Sequence, residues 1–355
     1  MIAIAADTPS QLIAALLAYQ RVGRGAPIAL FARHGLETNG RHPTVAHMFY
    51  YGDEHRTPSR LLSGLMSPST LLRTIPGYTS SVDIDALITS RTAFVATYLQ
   101  KEYAQRHPFL PVYLIESGPD EYFDPSPRDK FVSMCAMMKQ PTHMNFVSRA
   151  FLAAPSLYPF ERPYPVERLP RADLETRQVL GPMLGRPPRD ERSWLFSRPF
   201  LFFESRSRSG ADDFDIVAAD TRVLSAAVRA VGAQRITVVP GNRRDVPYER
   251  GVQTLNLSMP IESFLFRNSA DTHVLIADNL AVLTAPRLFF EQEPFLIYTG
   301  LLNDPDKNIQ RAAFFRDFSS LYSRPDKCSL PQTLLELKDV LARFRGLVEG
   351  GQPQV

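Results

Sequence analysis

Short apolar runs alternate with amphipathic helical stretches along most of this chain, and the pattern is clearest at its start. Residues 2–6 (IAIAA) read as a buried strand. In the following DTPSQLIAALLAYQRVGRG, Leu12, Ile13, Leu16 and Leu17 fall on one stripe of a helix. Thr8 can cap that helix and Pro9 suits its first turn. Gln11, three residues after the cap, completes a capping-box pattern, and Gly23 supplies the stop. PIALFA (27–32) follows as a second strand, so the chain opens with a β-α-β unit.

PFLPVYLIE (108–116) reads as a further buried strand, left through the loop SGPDEYFDPSP. Residues 155–193 are dense in proline and arginine (PSLYPFERPYPVERLPRADLE, LGRPPRDE). Proline lacks a backbone donor and fixes φ, so this stretch predicts a linker with a surface helix rather than core elements. A second α/β pattern then begins. RPFLFFES (198–205) is a strand, IVAADTRVLSAAVRAVG (216–232) an amphipathic helix and RITVVP (235–240) a strand. IESFLFRN (261–268) predicts a short helix, HVLIAD (273–278) a strand, NLAVLTAPRLFF (279–290) a helix and PFLIYTG (294–300) a strand. The chain closes on SLPQTLLELKDVLARFRGLVEGG, a helix capped by Ser329 with an apolar stripe at Leu334, Leu337, Leu341 and Phe344. No repeat with a period of 20 to 50 residues is present.

The expected fold is α/β: two Rossmann-like domains facing a cleft, with a C-terminal helix. The expected boundaries are 1–155 for the first domain, 156–192 for the linker, 193–328 for the second domain and 329–355 for the helix and tail. In such sheets ligands bind beyond the carboxyl ends of the strands, so the loops after each strand are where chemistry belongs.

At 355 residues the chain is long enough for two cores, and 44% hydrophobic with 22% charged residues fits an ordinary globular protein. A net charge of +3 does not argue for nucleic acid as a partner. The 34 arginines against six lysines have two readings. A genome rich in Arg codons ranks first, and a surface for phosphate or carboxylate second. Cys135 and Cys328 imply no disulfide framework and fit a reducing compartment. Met1 leads straight into a strand with no basic leader and apolar core, and no apolar run approaches the ~20 residues of a membrane span. A cytoplasmic location is expected, with peripheral association at the inner face of the cell membrane left open.

Several constellations carry chemistry. ARHG places Arg33, His34 and Gly35 at a strand exit, the tripeptide of histidine phosphatases. That reaction needs a second histidine and an acid, and none of the other histidines sits in a matching context. A cleft-lining role for His34 is the better reading, and the phosphatase ranks last. His34, His42, His47 and His55 lie at separations of eight, five and eight, which suit no metal pattern, and no metal site is expected. Asp212, Asp213 and Asp215 form an Asp-x-Asp at a helix start, where capping explains them. In LIESGPDEYF, Glu116 ends a buried strand and Gly118 allows a sharp turn beside it. A carboxylate there faces the cleft, and partial burial raises its pKa toward that of a general base.

Three segments together resemble one family. ADTPSQLIAALLA, LIESGPDEYF and LNLSMPIESFLFRNSADTHVLIADNLAVLTA are similar, in order and spacing, to the loops of bacterial sialyltransferases of the capsule polysialyltransferase and lipooligosaccharide type. The resemblance implies a GT-B fold with the acceptor on the first domain. It implies metal-independent transfer, without a cofactor, of a sialic acid or related sugar acid from a CMP-sugar to a surface glycan. Nucleotide sugar and glycan acceptor would then be the partners. Glu116 takes the place of the family's base, with Ser117, Gly118 and Tyr122 in its loop, and Glu262 the place of the ribose-binding acid. Thr8 and Gln11 open the first helix beside the cleft.

Two departures accompany it. PGNRRD stands where the family has a His-Pro loop, offering Arg243 and Arg244 for the phosphate. Asp278 and Asn279 stand where it has paired Ser/Thr. Arg206 and Arg208 in SRSRSG join the candidate cleft residues. A member that binds nucleotide or glycan without turnover, and a transferase with another nucleotide-sugar donor, are the alternatives.

Overall fold

In the computed structural model of the chain, the described residues are all of 1–355 except 24, 35, 37–43, 57–66, 80, 117, 124–134, 136, 173–179, 181–197, 206–212, 242–247, 256, 258–261, 263–269 and 351–355. They form two compact units, Met1–Arg186 and Pro187–Val355. Among them no helix is long and apolar enough to cross a membrane.

The first unit is a seven-stranded parallel sheet in the order β3-β2-β1-β4-β5-β6-β7. Its strands are β1 (Ile2–Ala6), β2 (Ile28–Arg33), β3 (Val45–Tyr51), β4 (Ala86–Ser90), β5 (Val112–Ile115), β6 (Val147–Leu152) and β7 (Val166–Arg168). Helices α1 (Pro9–Val22), α2 (Pro68–Leu72) and α3 (Val95–Ala104) belong to the same unit. All five residues of β1 are buried, as expected for a central parallel strand covered on both faces.

Thr8 caps α1 as expected, its hydroxyl accepting from Gln11 N at 3.3 Å. Gln11 Oε1, however, accepts from Asp7 N at 2.7 Å, one residue earlier than in a strict capping box. Gly23 is the C-cap of α1, its N–H donating to Tyr19 O, and a Cβ there would require the Ile2 side chain to shift. The core packs aromatic rings among aliphatic side chains. Phe31 and Phe49 lie 4.8 Å apart, and Tyr51 meets Phe94 edge-on at 5.4 Å. Buried Tyr103 donates to Val82 O at 2.7 Å, so its hydroxyl is satisfied.

Two expectations need correction here. The strand expected over 108–116 begins only at Val112, because Pro108 and Pro111 cannot donate to a ladder, and Phe109 stands 94% exposed. Part of the expected 156–192 linker is β7, paired with β6 from Ala150↔Val166 to Leu152↔Arg168. An edge strand tolerates the flanking Pro165, whose carbonyl accepts from Ala150 N.

The second unit holds six parallel strands in the order β10-β9-β8-β11-β12-β13. They are β8 (Phe200–Phe203), β9 (Ile236–Val239), β10 (Gln253–Thr254), β11 (Val274–Ala277), β12 (Phe295–Tyr298) and β13 (Cys328–Ser329). Its helices are α4 (Asp213–Val231), α5 (Leu280–Phe290), α6 (Gly300–Asn303), α7 (Pro305–Ser319) and α8 (Leu334–Gly350). Helix α8 packs on α4 and buries Leu337, Leu341, Phe344 and Val348, with Phe344 4.9 Å from Phe295. Leu334, expected on that stripe, is 38% exposed.

Ser329 does not cap α8; it extends β13 against Ile297. Thr333 takes that role, accepting from Glu336 N at 3.2 Å, while Glu336 accepts from Gln332 N at 2.8 Å. The strand order reverses between β1 and β4 in one sheet and between β8 and β11 in the other. Those reversals open the crevices where doubly wound sheets take ligands.

Candidate functional site

Strand β5 delivers Glu116 to the carboxyl edge of the first sheet. Gly118, at φ 149, turns the chain in a conformation that side chains oppose, and the 3-10 turn Pro119–Tyr122 brings Tyr122 back over the strand end. Tyr122 Oη donates to Glu116 Oε2 at 2.6 Å, and Ala153 N, just beyond β6, donates to the same oxygen at 2.7 Å. Tyr122 Oη in turn accepts from Ala154 N at 3.1 Å. The other oxygen, Oε1, is buried and has no hydrogen-bond partner among the described residues. Burial pushes the carboxyl's pKa up, against the two hydrogen bonds on Oε2 that pull it down. Burial goes further than the partial burial expected: Glu116 is only 2% exposed, because β6 and the Tyr122 turn close over it.

The chain from β6 to β7 continues this edge with aromatic residues. Tyr158 meets Tyr122 edge-on at 6.3 Å and Phe160 at 5.4 Å. The Arg162 guanidinium lies over the Tyr158 ring at 4.9 Å and the Tyr164 ring at 5.9 Å.

Other residues expected beside the ligand are used by the fold. Gln11 is 2% exposed, and its amide is divided between Asp7 N and Thr92 Oγ1, the latter at 3.0 Å. His34 leaves β2 with its ring about 4.0 Å from Glu54 Oε1 and stacked on Tyr50. Glu54 also reaches His55 Nδ1 at 3.1 Å. Sequence reasoning missed His143, 1% exposed, whose ring nitrogens reach Ser90 O and Thr97 Oγ1, each at 3.0 Å. Burial brings its pKa down to about 4, so the ring is neutral near pH 7.

In the second unit the strand ends gather carboxylates. Ser205 Oγ lies 2.6 Å from Asp278 Oδ2 and 3.0 Å from Asp220 Oδ1, and Ser205 N donates to Asp220 Oδ2 at 2.9 Å. Asn303 Nδ2 reaches both acids at 3.4 Å. Ser205 carries one hydroxyl hydrogen and cannot donate to both, so a proton held on one carboxyl completes the set. Burial first, and then Asp278, push Asp220 up to about 6. Glu204 adjoins, accepting from Gly241 N at 3.2 Å.

Asp278 thus lies at the strand end as expected, but among acids. Asn279 is a helix cap, accepting from Ala281 N at 2.9 Å. Glu262 is helical and half-buried, and most of its segment lies outside the described residues. Arg206, Arg208, Arg243, Arg244, Ser117 and Asp212 all lie outside them.

Asp83, Asp85 and His107 form the one group among the described residues that could offer three ligand atoms within 4.8 Å. These side chains lie at the opposite edge of the first sheet from Glu116. Asp83 faces His107 at 2.9 Å and Asp85 pairs with the amine of Met1.

Two doubly wound parallel units in one chain, each with polar groups at its strand ends, define a GT-B type of fold. Solved structures bear out that class. UDP-GlcNAc 2-epimerase from Methanocaldococcus jannaschii aligns with TM-score 0.55 at 8% identity, over 96% of this chain and 91% of that one. UGT2 of Phytolacca americana, complexed with UDP-2fluoro-glucose and pterostilbene, aligns with TM-score 0.53 at 13% identity, over 99% and 90%. UDP-GlcNAc 2-epimerase from Neisseria meningitidis, bound to UDP-GlcNAc, gives 0.53 at 10% identity, over 98% and 91%. At these identities the likeness is one of fold. No protein-family model and no curated protein matches the chain.

Proposed function

We propose that the chain is a glycosyltransferase that moves a sugar from a nucleotide donor to an acceptor hydroxyl, with Glu116 as general base. The observation that carries this reading is Glu116 Oε1, a buried acceptor with no donor among the described residues, held at the carboxyl edge of a doubly wound sheet. An acceptor hydroxyl supplies the missing donor. As its oxygen bonds to the anomeric carbon, its proton passes to Oε1. The bond from that carbon to phosphate oxygen breaks, and the nucleotide leaves with the electron pair. Tyr122 and the Ala153 amide fix Oε2 and so aim Oε1.

Nucleotide sugars as donors are supported by the UDP-sugars named for similar structures. The resemblance to sialyltransferases supports the finer reading, a CMP-linked sugar acid moved to a surface glycan without a metal ion. The acids at the second sheet's edge favour it too. Asp278 and Asp220 suit ribose hydroxyls and disfavour phosphates, so one phosphate is better tolerated than two. A UDP-sugar is the second reading, favoured by the fold relatives.

Thermal unfolding with CMP, UDP, GDP and phosphate separates these readings, since a ligand at ~100 times its dissociation constant adds about 2.7 kcal/mol. A shift with CMP, followed by transfer from a CMP-sugar that survives EDTA, is expected. A shift with UDP alone changes the donor. Nucleotide binding without transfer from any sugar donor would leave a binding protein. Co-sedimentation with anionic vesicles tests docking at the membrane face, where the acceptor glycan is proposed to be presented.

A further inference from the structure

We infer that the segment from Tyr158 to Tyr164 is a saccharide subsite beside Glu116, and that Arg162 there selects an acceptor carrying a carboxylate. The inference rests on the transferase reading for its role and on the following geometry for its location.

Three buried polar atoms at this edge have no hydrogen-bond partner among the described residues, Glu116 Oε1, Tyr158 Oη and Tyr164 Oη. The Glu116 side chain is 2% exposed, so its orphaned oxygen marks a place for a ligand donor rather than a solvated surface group. Tyr122 links the first two: its hydroxyl holds Glu116 at 2.6 Å and its ring meets Tyr158 at 6.3 Å. Tyr158, Phe160 and Tyr164 then present ring faces and edges suited to the apolar C–H face of a sugar ring.

Charge sets the second half of the specificity. The Arg162 guanidinium carbon lies over two tyrosine rings, and no described carboxylate forms an ion pair with it. A guanidinium without a carboxylate partner offers donors to a planar anion, and a carboxylate fits its fork with two parallel hydrogen bonds. Arg91 and Arg162 both act electrostatically on the Tyr164 hydroxyl, against Glu121. Pro159, Pro163 and Pro165 interrupt the segment and restrict its backbone before any ligand arrives, which lowers the entropic cost of binding.

The test is a saturation-transfer NMR titration of the full chain with methyl glucuronide and with methyl glucoside, without nucleotide. The glucuronide is expected to bind about three- to tenfold more tightly. Arg162→Gln is expected to erase that preference and leave the neutral sugar unaffected, while Tyr158→Ala weakens both. Circular dichroism and the unfolding midpoint establish that each variant is folded. Equal affinities in the unmodified chain, a preference that survives Arg162→Gln, or binding of neither sugar would each overturn the inference. Because no donor is present, the outcome is separable from the transferase reading. A preference without any sugar transfer retains the subsite and discards the transferase. Transfer that ignores the acceptor's charge does the reverse.

Discussion

Glu116, just past β5, and the pair Asp220/Asp278, on α4 and just past β11, are the two places where buried carboxylates gather near the strand ends of the two sheets, yet their shortage of donors is arranged differently. Around Glu116, the Tyr122 hydroxyl and the Ala153 amide both serve one oxygen, leaving Oε1 with no donor among the described residues. Around Asp220 and Asp278, one serine hydroxyl and one asparagine amide are shared by two acids. The first arrangement concentrates an unmet demand for a donor on one atom. The second spreads it over several atoms and meets it in part with a bound proton. A single aimed oxygen suits proton abstraction, whereas a shared acidic wall suits hydroxyl recognition.

The sharpest way to break this comparison is Glu116→Gln. The amide keeps the shape and the hydrogen bonds to its oxygen but cannot take up a proton. Transfer should fall by about 10²–10⁴-fold in kcat/KM, with the unfolding midpoint unchanged or raised. An Asp220→Asn variant that abolishes transfer, beside a fully active Glu116→Gln, would exchange the roles of the two sites.

Asp220→Asn tests the second site through stability. The folded pKa of Asp220 is about 6 against 3.8 for the free group, so the folded state holds the proton more tightly. Its stabilisation is complete below about pH 4 and is lost as the pH rises to about 6, worth about 3 kcal/mol in all. His143 has the opposite sign. Its pKa is lowered from 6.5 to about 4, so the first unit loses stability as the pH falls through that window. Denaturant unfolding at pH 4.5 and 7 should show the variant gaining stability with pH, while the unmodified chain changes little or shows two transitions of opposite slope. A variant with the same pH dependence as the parent would mean that the proton does not sit on Asp220.

Tyr122→Phe is expected to be milder. It removes one donor from Glu116 and one acceptor from Ala154 N, about 1–3 kcal/mol of stability. Losing that donor pushes the Glu116 pKa further up, so the acidic limb of the pH–rate profile moves to higher pH. An unmoved limb with the same loss of stability would make Tyr122 a purely structural residue.

What could be read from the sequence divides along the same physical line. β1, β2, β9, β11 and β12 are runs of buried apolar residues, and an apolar run is visible without a partner. β3 carries exposed Ala46 and His47, β7 is three residues of VER, and β13 is two residues. Such edge strands exist because a neighbour pairs with them, which no local pattern records. The site divides likewise. Glu116, Gly118 and Tyr122 form one short loop and could be grouped by eye. Ser205, Asp220, Asp278 and Asn303 come from four separate segments, and Asp220 looks like one more polar position on an amphipathic helix. Ala153 contributes a backbone amide, for which side-chain identity is silent.

The smallest predicted effects compare the two helix starts, which repeat one device. Thr8 and Thr333 each accept from the amide three residues on, and Gln11 and Glu336 each reach back to the residue before the cap. Thr8→Ala and Thr333→Ala should each cost about 1 kcal/mol. The returning side chains should differ. Glu336 is exposed, and its charge at a helix N-terminus contributes a few tenths of a kcal/mol that salt screens, so Glu336→Ala should cost ~1 kcal/mol or less and less still at high salt. Gln11 is buried and also donates to Thr92, so Gln11→Ala removes two hydrogen bonds and should cost about 1–3 kcal/mol at any ionic strength. Equal costs for the two would mean that the Thr92 contact adds nothing. Gln11 would then be freed for the ligand-facing role that its place at the β1–β4 crevice offers.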